Sequence, residues 1–355
     1  MPIPYHTFYR WNNDAIAEWE RAAPSPEDDA QARIAVISPI IAAPANCAEA
    51  IPSWNADTPD HTWIEIQLRA QIDGQWTNWY RMGLWDSAHQ RSKRTSINDQ
   101  HDEMARVATD TLSFLRAPSH LQARVLLYAT GGELPELNEL ALCLSPEHAW
   151  SVDDPIAYAE RDTALNLPTL RAQYAYPEEQ GWCSPTSLSM VFAYWHERLG
   201  KADLAVFHEA RSLPEIAAPM VYDPAYDGTG NWAFNTAYAT TLGLSAYFTR
   251  MHSLDQLARW IEVGVPVVLS LAWGVGELDG TPIAKASGHL IVITGFSGDR
   301  VLVADPAASD ASGVARSYRA DQLFRCWQRH SGGSVYLIFP PDWPIPTPHP
   351  YDAWA

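Results

Sequence analysis

The chain has 355 residues, which at the usual ~100–200 residues per domain predicts two domains. Hydrophobic residues make up 47% and charged residues 19%, enough apolar side chain to build sizeable cores, so disorder throughout is excluded. Lys and Arg number 24 against 42 Asp and Glu, and the resulting charge of −18, with no basic patch to override it, disfavours nucleic acid and anionic lipid as partners.

The first thirty residues hold no basic start followed by an apolar run, so no signal peptide is visible and the sequence reads as cytoplasmic. No segment approaches the ~18–20 apolar residues of a membrane span. From Arg33 to about Leu144 the hydrophobic pattern has period two. Ile64, Ile66, Leu68, Ala70 and Ile72 share one face, with Trp63, Glu65, Gln67, Arg69 and Gln71 on the other, which predicts a half-buried antiparallel strand. Asp73-Gly74 supplies the chemistry of a tight hairpin turn, and Gln75 to Trp85 runs back. Leu121 to Ala129 alternates again, and Leu140, Leu142 and Leu144 close the series, so an antiparallel β-sandwich or jelly roll is expected over residues 1–150.

Residues 151–172 carry Asp153-Asp154-Pro155 and Leu167-Pro168, the punctuation of a linker. Helical periodicity begins after it. Leu188, Val191, Phe192, Trp195 and Leu199 mark a helix from Pro185, stopped by Gly200, and Ser253 with Gln256 forms a capping box for a helix that stops near Gly264. Strands are expected at 265–273, 290–296, 301–304 and 334–339, with a helix at about 321–329, making residues 173–340 an α+β domain with a mostly antiparallel sheet. The last sixteen residues contain six prolines, so a tail over 341–355 is expected to lie extended on the surface or disordered.

One stretch carries chemistry. In Gln180-Gly-Trp-Cys-Ser-Pro-Thr-Ser, Cys183 stands at the predicted start of a helix, where free N–H groups and the positive dipole end favour a thiolate nucleophile. A histidine to serve as base stands in Gly288-His289-Leu-Ile-Val-Ile, and Asp305 follows on the next strand. If Ser297-Gly298-Asp299 is a loop centred on Gly298, Asp305 pairs with Ile291, on the same face as His289, roughly 7–8 Å away at Cα. Each residue alone reads as something plainer: a small buried hydrophobe, a core histidine, a turn former. Their order and contexts suit a Cys-His-Asp arrangement.

Residues 173–340 resemble the C39-like cysteine peptidases of the papain-like fold, through Trp182 to Tyr194, Gly230-Asn-Trp-Ala-Phe-Asn-Thr-Ala-Tyr, Gly288-His-Leu-Ile-Val-Ile, Asp305-Pro-Ala and Ser331-Gly-Gly-Ser-Val-Tyr. The segments Ser53-Trp-Asn-Ala-Asp-Thr-Pro and Asp110-Thr-Leu are similar to the β-rich domain that precedes the peptidase domain in many bacterial members, which are often exported. The resemblance implies Cys183 as nucleophile, His289 as general base and acid, Asp305 as orienting acid and a glutamine as oxyanion donor. Gln173 matches the family's pattern better, although Gln180 lies nearer in sequence. The backbone N–H of Cys183 would be the second donor. The leader peptides cut by transporter-fused members do not carry over, since nothing here spans a membrane.

Trp182, Asn231 and Trp232 are candidate substrate-binding residues, although a tryptophan in Gly230-Asn-Trp serves more commonly as an anchor packed on a sheet. Histidines 61, 89, 101, 120 and 148 lack metal-ligand spacing, and the other cysteines, at 47, 143 and 326, have no CxxC or disulfide pattern, so no metal or cofactor is expected. Trp54, Trp63, Trp76, Trp79 and Trp85 suit a sugar-binding platform or, equally, sandwich core and interdomain contact. Three functions fit: a cysteine peptidase acting on a peptide or protein, a peptide- or cell-wall-glycan-binding protein with an inactive peptidase-like half, and a Cys-dependent acyltransferase.

Overall fold

The computed structural model describes residues 6–87, 93–147, 158–175, 181–208 and 213–354, so Gln180 and residues 151–157 of the expected linker lie outside it. The N-terminal half runs β1 (Thr7–Asn12), α1 (Asn13–Ala17), β2 (Glu20–Ala22), β3 (Ala32–Ile37), β4 (Ile41–Ala42), β5 (Cys47–Asp57), β6 (Thr62–Ile72), β7 (Gln75–Trp76), β8 (Tyr80–Trp85), β9 (Ala105–Ala108), β10 (Thr111–Phe114), β11 (His120–Ala129) and β12 (Glu136–Pro146). One antiparallel sheet has the order β1-β12-β5-β10-β9. A second has the order β2-β3-β11-β6-β7, with β4 also on β11 and β8 also on β6.

The alternation of β6 does what its pattern dictates: Ile64, Ile66, Leu68, Ala70 and Ile72 are fully buried. Asp73 and Gly74 turn the chain with φ of 50° and 79°, both positive as a type I′ hairpin needs. The opposite face, however, is not open to water. Trp63, Glu65 and Gln67 are buried as well. Glu65 accepts two hydrogen bonds from Arg81 at 2.7 and 2.8 Å and one from Tyr128 at 3.0 Å, while Arg124 donates to Gln67 and pairs with Asp28. Period two reveals which side chains are polar, but charged partners from neighbouring strands decide whether water covers them. The tryptophans follow the same logic. Trp54 and Trp85 are buried against Phe234 of the C-terminal half, Trp63 stacks on Tyr128, and Trp76 and Trp79 both face the Arg69 guanidinium at 4.5 Å.

The C-terminal half runs β13 (Arg161–Ala164), α2 (Cys183–Leu199), α3 (Leu213–Val221), α4 (Trp232–Thr241), β14 (Ser245–Arg250), α5 (Leu254–Glu262), β15 (Val267–Trp273), β16 (Ala286–Gly298), β17 (Arg300–Ala304), β18 (Ala315–Arg319), α6 (Ala320–Ser331) and β19 (Ser334–Phe339). Its antiparallel sheet has the order β14-β19-β15-β16-β17-β18, with β13 added to β16. Local signals held where they were strongest: α5 carries the Ser253–Gln256 capping box, and Gly200 ends α2 at φ 64°.

Part of the expected linker is therefore strand. Arg-Asp-Thr-Ala in β13 has no apolar alternation to announce it, yet it pairs with residues 295–298 of β16. The pairing depends on Gly295, where a Cβ would sit only 2.3 Å from the Thr163 carbonyl oxygen. Helix α2 is also more buried than its apolar stripe suggests. Every residue from Cys183 to Trp195 is buried, and Ser184 and Ser187 donate to Asn235 and to the Leu290 carbonyl at 2.8 and 3.1 Å.

The proline-rich tail is neither loose nor merely draped. Trp354 is fully buried against Trp260, its ring N–H donates to the Pro346 carbonyl at 3.1 Å, and its own carbonyl accepts from Tyr247 at 3.0 Å. Asp352 accepts from Arg259 and Gln256 at 2.6 and 2.7 Å. Prolines rule out helix and strand, but they also reduce the entropy lost when an extended segment docks. Trp354→Ala is expected to cost about 3–5 kcal/mol of stability. Chemical denaturation checks this, and an unchanged midpoint would contradict the docking.

Apolar core continues from one half into the other. Polar links accompany it: Asp110 accepts the Trp232 N–H at 2.7 Å, Ser53 accepts the Phe248 N–H at 3.0 Å, Arg94 donates to the Met220 carbonyl at 2.7 Å, and Arg250 pairs with Glu49 at 2.6 Å.

Candidate active site

Cys183 is the first residue of α2. No side chain caps that end and no acidic residue lies in its first turn, whereas α4 and α5 are capped by Asn231 and Ser253. The amide N–H groups at this helix start are thus not used up by a cap, and the positive dipole end lies beside the sulfur.

His289 lies on β16 opposite Leu271 of β15. Its relation to Asp305 comes from the β16–β17 hairpin, which reaches the expected register by an unexpected route. The loop has two residues, Gly298-Asp299, with Ser297 opposite Arg300 and Gly298 at φ 54°, as a type II′ turn requires. That turn alone would shift the strands by one residue. A bulge between Ile293 and Gly295 shifts them back, so Val292 faces Ala304, and the next step of the ladder brings Asp305 level with Ile291.

The result is a buried chain of hydrogen bonds. His289 Nε2 meets Asp305 Oδ1 at 2.8 Å, and Cys183 acts on the same ring, helping to raise its pKa. Asp305 Oδ1 accepts the Ala307 N–H at 2.8 Å, and Oδ2 accepts the Tyr318 hydroxyl at 2.5 Å. Trp273 packs its ring edge-on to His289 at 5.4 Å. Burial alone would lower the His289 pKa, but the Asp305 charge and the hydrogen bonds to Asp305 and Cys183 outweigh it and raise the value. Burial would raise the Asp305 carboxyl, and the imidazole, Tyr318 and Ala307 together hold it below its ordinary range. Burial and the adjacent Asp305 charge raise the Tyr318 phenol, so it stays protonated as a donor.

Two cavities meet at Cys183 and His289. One, of about 570 Å³, is also lined by Gln173, Trp273 and Lys285. Gln173 is buried in a short turn, its N–H donating to the Pro306 carbonyl at 2.8 Å, one residue beyond Asp305. The other, of about 750 Å³, is lined by Trp182, Tyr226, Trp232 and His330, and by Thr109 and Asp110 from the N-terminal half. Cys183, His289, Asp305 and Gln173 are thus brought together, with Trp182 and Trp232 beside them. Asn231 is not part of the lining. It is buried, its carbonyl caps α4 through the Phe234 N–H at 3.2 Å and its amide donates to Asp223 at 2.9 Å, so both ends of the side chain are already used. Trp232 keeps both roles weighed for it, lining the cavity and stacking on Phe248 at 4.9 Å.

Residues 166–335 match the family profile described as the Peptidase_C39 like family, and residues 7–145 match the one described as the Peptidase C39 N-terminal domain. The chain belongs to the C39-like peptidase family. A crystal structure of a C39-like peptidase candidate from Bacillus anthracis is similar at 14% identity and a TM-score of 0.35, covering 50% of this chain and 98% of that one, a likeness too loose to bear on the fold. No curated protein matches the chain. Among the described residues, no helix is long and apolar enough to cross a membrane, and no group of three or more His, Cys, Asp or Glu side chains is placed to hold a metal ion.

Sequence reasoning missed Tyr318 and Asp110. Tyr318 sits on β18, a strand of mostly polar residues with no strong alternation. Asp110 stands in one of the segments similar to the family, but only the fold brings it to the cleft. Burial pushes its carboxyl up to about 6, against hydrogen bonds from Trp232 and Thr111 that lower it. The fold therefore favours the protonated form: this contribution to stability is complete below the unfolded value of 3.8 and is lost as pH rises through about 6. Asp110→Asn removes that loss, so its melting temperature relative to the unmodified protein is expected to be higher at pH 8 than at pH 5. A difference independent of pH would contradict this.

Proposed function

We propose that the protein is a cysteine peptidase that hydrolyses a peptide or amide bond through an acyl-enzyme, with Cys183 as nucleophile, His289 as general base and acid, Asp305 as orienting carboxylate and Gln173 as oxyanion donor. The observation that carries this reading is the buried His289–Asp305 hydrogen bond, with Cys183 and His289 together lining two cavities. Residues 173–340 form the papain-like peptidase domain in this reading. Residues 1–150 form a β-sandwich that walls the substrate cleft, β13 of the expected linker joins the sheet of the peptidase domain, and the tail clasps the C-terminal half.

The chemistry follows from the charges. Before substrate binds, His289 already holds the thiol proton, as an imidazolium stabilised by Asp305 beside the Cys183 thiolate. The thiolate attacks the scissile carbonyl, and the oxyanion meets the Gln173 amide and the uncapped N–H of Cys183, donors that need no rearrangement as charge develops. The imidazolium then protonates the leaving amine. Water, losing a proton to the neutral imidazole, releases the acyl group and restores the thiolate–imidazolium pair. Tyr318 positions Asp305 rather than touching substrate.

Burial raises the pKa of each of the other cysteines, Cys47 to about 12 and Cys326 to about 11, which keeps them protonated and inert. Iodoacetamide is therefore expected to label Cys183 first, and Cys183→Ala to abolish peptide hydrolysis. Faster labelling of another cysteine, or hydrolysis that survives the substitution, would overturn the assignment.

Asp305→Asn is expected to lower kcat/KM by about 10²–10⁴. It should also move the alkaline limb of the pH profile downward, since the Asp305 charge is what raises the His289 pKa. Tyr318→Phe should do less of both. A limb that stays in place in Asp305→Asn would show that the carboxylate does not act on His289.

A further inference from the structure

A third cavity, of about 620 Å³, lies in the seam between the two halves, and it shares His330 with the cavity that opens at Cys183. His330 stands near the end of α6, and a Cβ on Gly288, next to His289, would lie 3.8 Å from its Nε2. The two cavities thus adjoin across one imidazole set beside the strand that carries His289. Burial lowers the His330 pKa, so the ring is neutral near pH 7 and offers one donor and one acceptor, as a peptide group does.

The two cavities differ in charge. Lining the cavity of about 750 Å³ at Cys183 are Asp110 and Asp227, with no Lys or Arg. Lining the seam are Arg106, Arg250 and Arg329 against Glu49 and Glu147, a locally cationic stretch in a chain of net charge −18. Arg250 is paired with Glu49, and Arg329 with Glu277. Arg106 is exposed and makes no ion pair among the described residues, so its guanidinium is the one available to a ligand.

Building on the peptidase reading, we propose that the substrate is an extended peptide that runs from the cavity at Cys183 across His330 into the seam, where Arg106 binds an acidic side chain or terminal carboxylate. His330 is a specificity residue that hydrogen-bonds the peptide backbone at the crossing. The seam is built jointly by Arg106 and Ser113–Leu115 of the N-terminal half and by the end of α6, which makes the β-rich half part of substrate selection.

The test uses the full chain as Cys183→Ala, which binds without turnover, and fluorescein-labelled eight-residue Gly-Ala peptides with a Glu pair at one end or the other. Matching Gln peptides and four-residue versions serve as controls, and binding is read by fluorescence anisotropy. Eight extended residues reach roughly 26–29 Å, long enough to leave the Cys183 cavity. One of the Glu peptides is expected to bind about fivefold tighter than its Gln counterpart at low salt, the scale of one exposed charge pair, and to lose the advantage at high salt. Arg106→Ala should erase the preference. His330→Ala should weaken eight-residue peptides but not four-residue ones, with His330→Gln restoring part of the loss.

Equal binding of Glu and Gln peptides, absence of any peptide binding, or a preference that survives Arg106→Ala would overturn the proposal. Hydrolysis of the same peptides by the unmodified protein keeps the two readings apart. Cleavage without the Glu preference defeats the seam proposal alone, and the Glu preference without cleavage supports it while counting against the peptidase reading.

Discussion

The buried pairing of His289 with Asp305 is the constraint on which the rest of this site depends. Placing two ionisable groups where water cannot reach them is costly unless each neutralises and hydrogen-bonds the other, so the pair tolerates little error in position. Here that position is set by a hairpin in which a two-residue turn and a single bulge cancel. Remove either and the aspartate moves to the other face of the sheet. Tyr318 and the Ala307 N–H donate to two further carboxylate lone pairs, which holds Asp305 in one orientation towards the ring.

The same economy is visible at the helix start. Elsewhere in the C-terminal half, α4 and α5 use side chains to satisfy their first N–H groups, while α2 leaves its end uncapped where Cys183 stands. An uncapped end forgoes about 1 kcal/mol of local stability. Burial of α2 from Cys183 to Trp195, with Ser184 and Ser187 bonded to neighbouring elements, holds the helix in place without that contribution. The N-terminal half belongs to this arrangement rather than standing apart from it. Its β9–β10 turn supplies Thr109 and Asp110 to the cleft, and Asp110 also accepts from the first N–H of α4, so the cleft wall and the seam are one structure.

How much of this could be read from the sequence depended on whether the signal was local. Capping at Ser253, the stop at Gly200, the hairpin at Asp73-Gly74 and the inward face of β6 all rest on chemistry within a few residues, and the fold follows them. The Cys, His and Asp positions carried local context too, and the structure brings them together. The tail escaped because prolines describe what a segment cannot be, not what it packs against. β13, β18 and α4 escaped because partners distant in sequence satisfy their polar residues, as the Ser184 hydroxyl donates to the Asn235 side-chain carbonyl. The polar face of β6 escaped for the same reason, since Arg81 and Arg124 from other strands and Asp28 from the β2–β3 turn cover it. For Asn231, an amide beside an aromatic suits a cleft and a helix cap equally well, and only the hydrogen bonds to Asp223 and the Phe234 N–H reveal the cap.

The most direct test of the central claim is a titration of the His289 ring by 1H–15N nuclear magnetic resonance, in the unmodified protein and in Asp305→Asn. His289 is expected to carry protons on both nitrogens at pH values well above the ordinary histidine range, and to lose that advantage when the Asp305 charge is removed. An imidazole that titrates at or below the ordinary value in both proteins would contradict it.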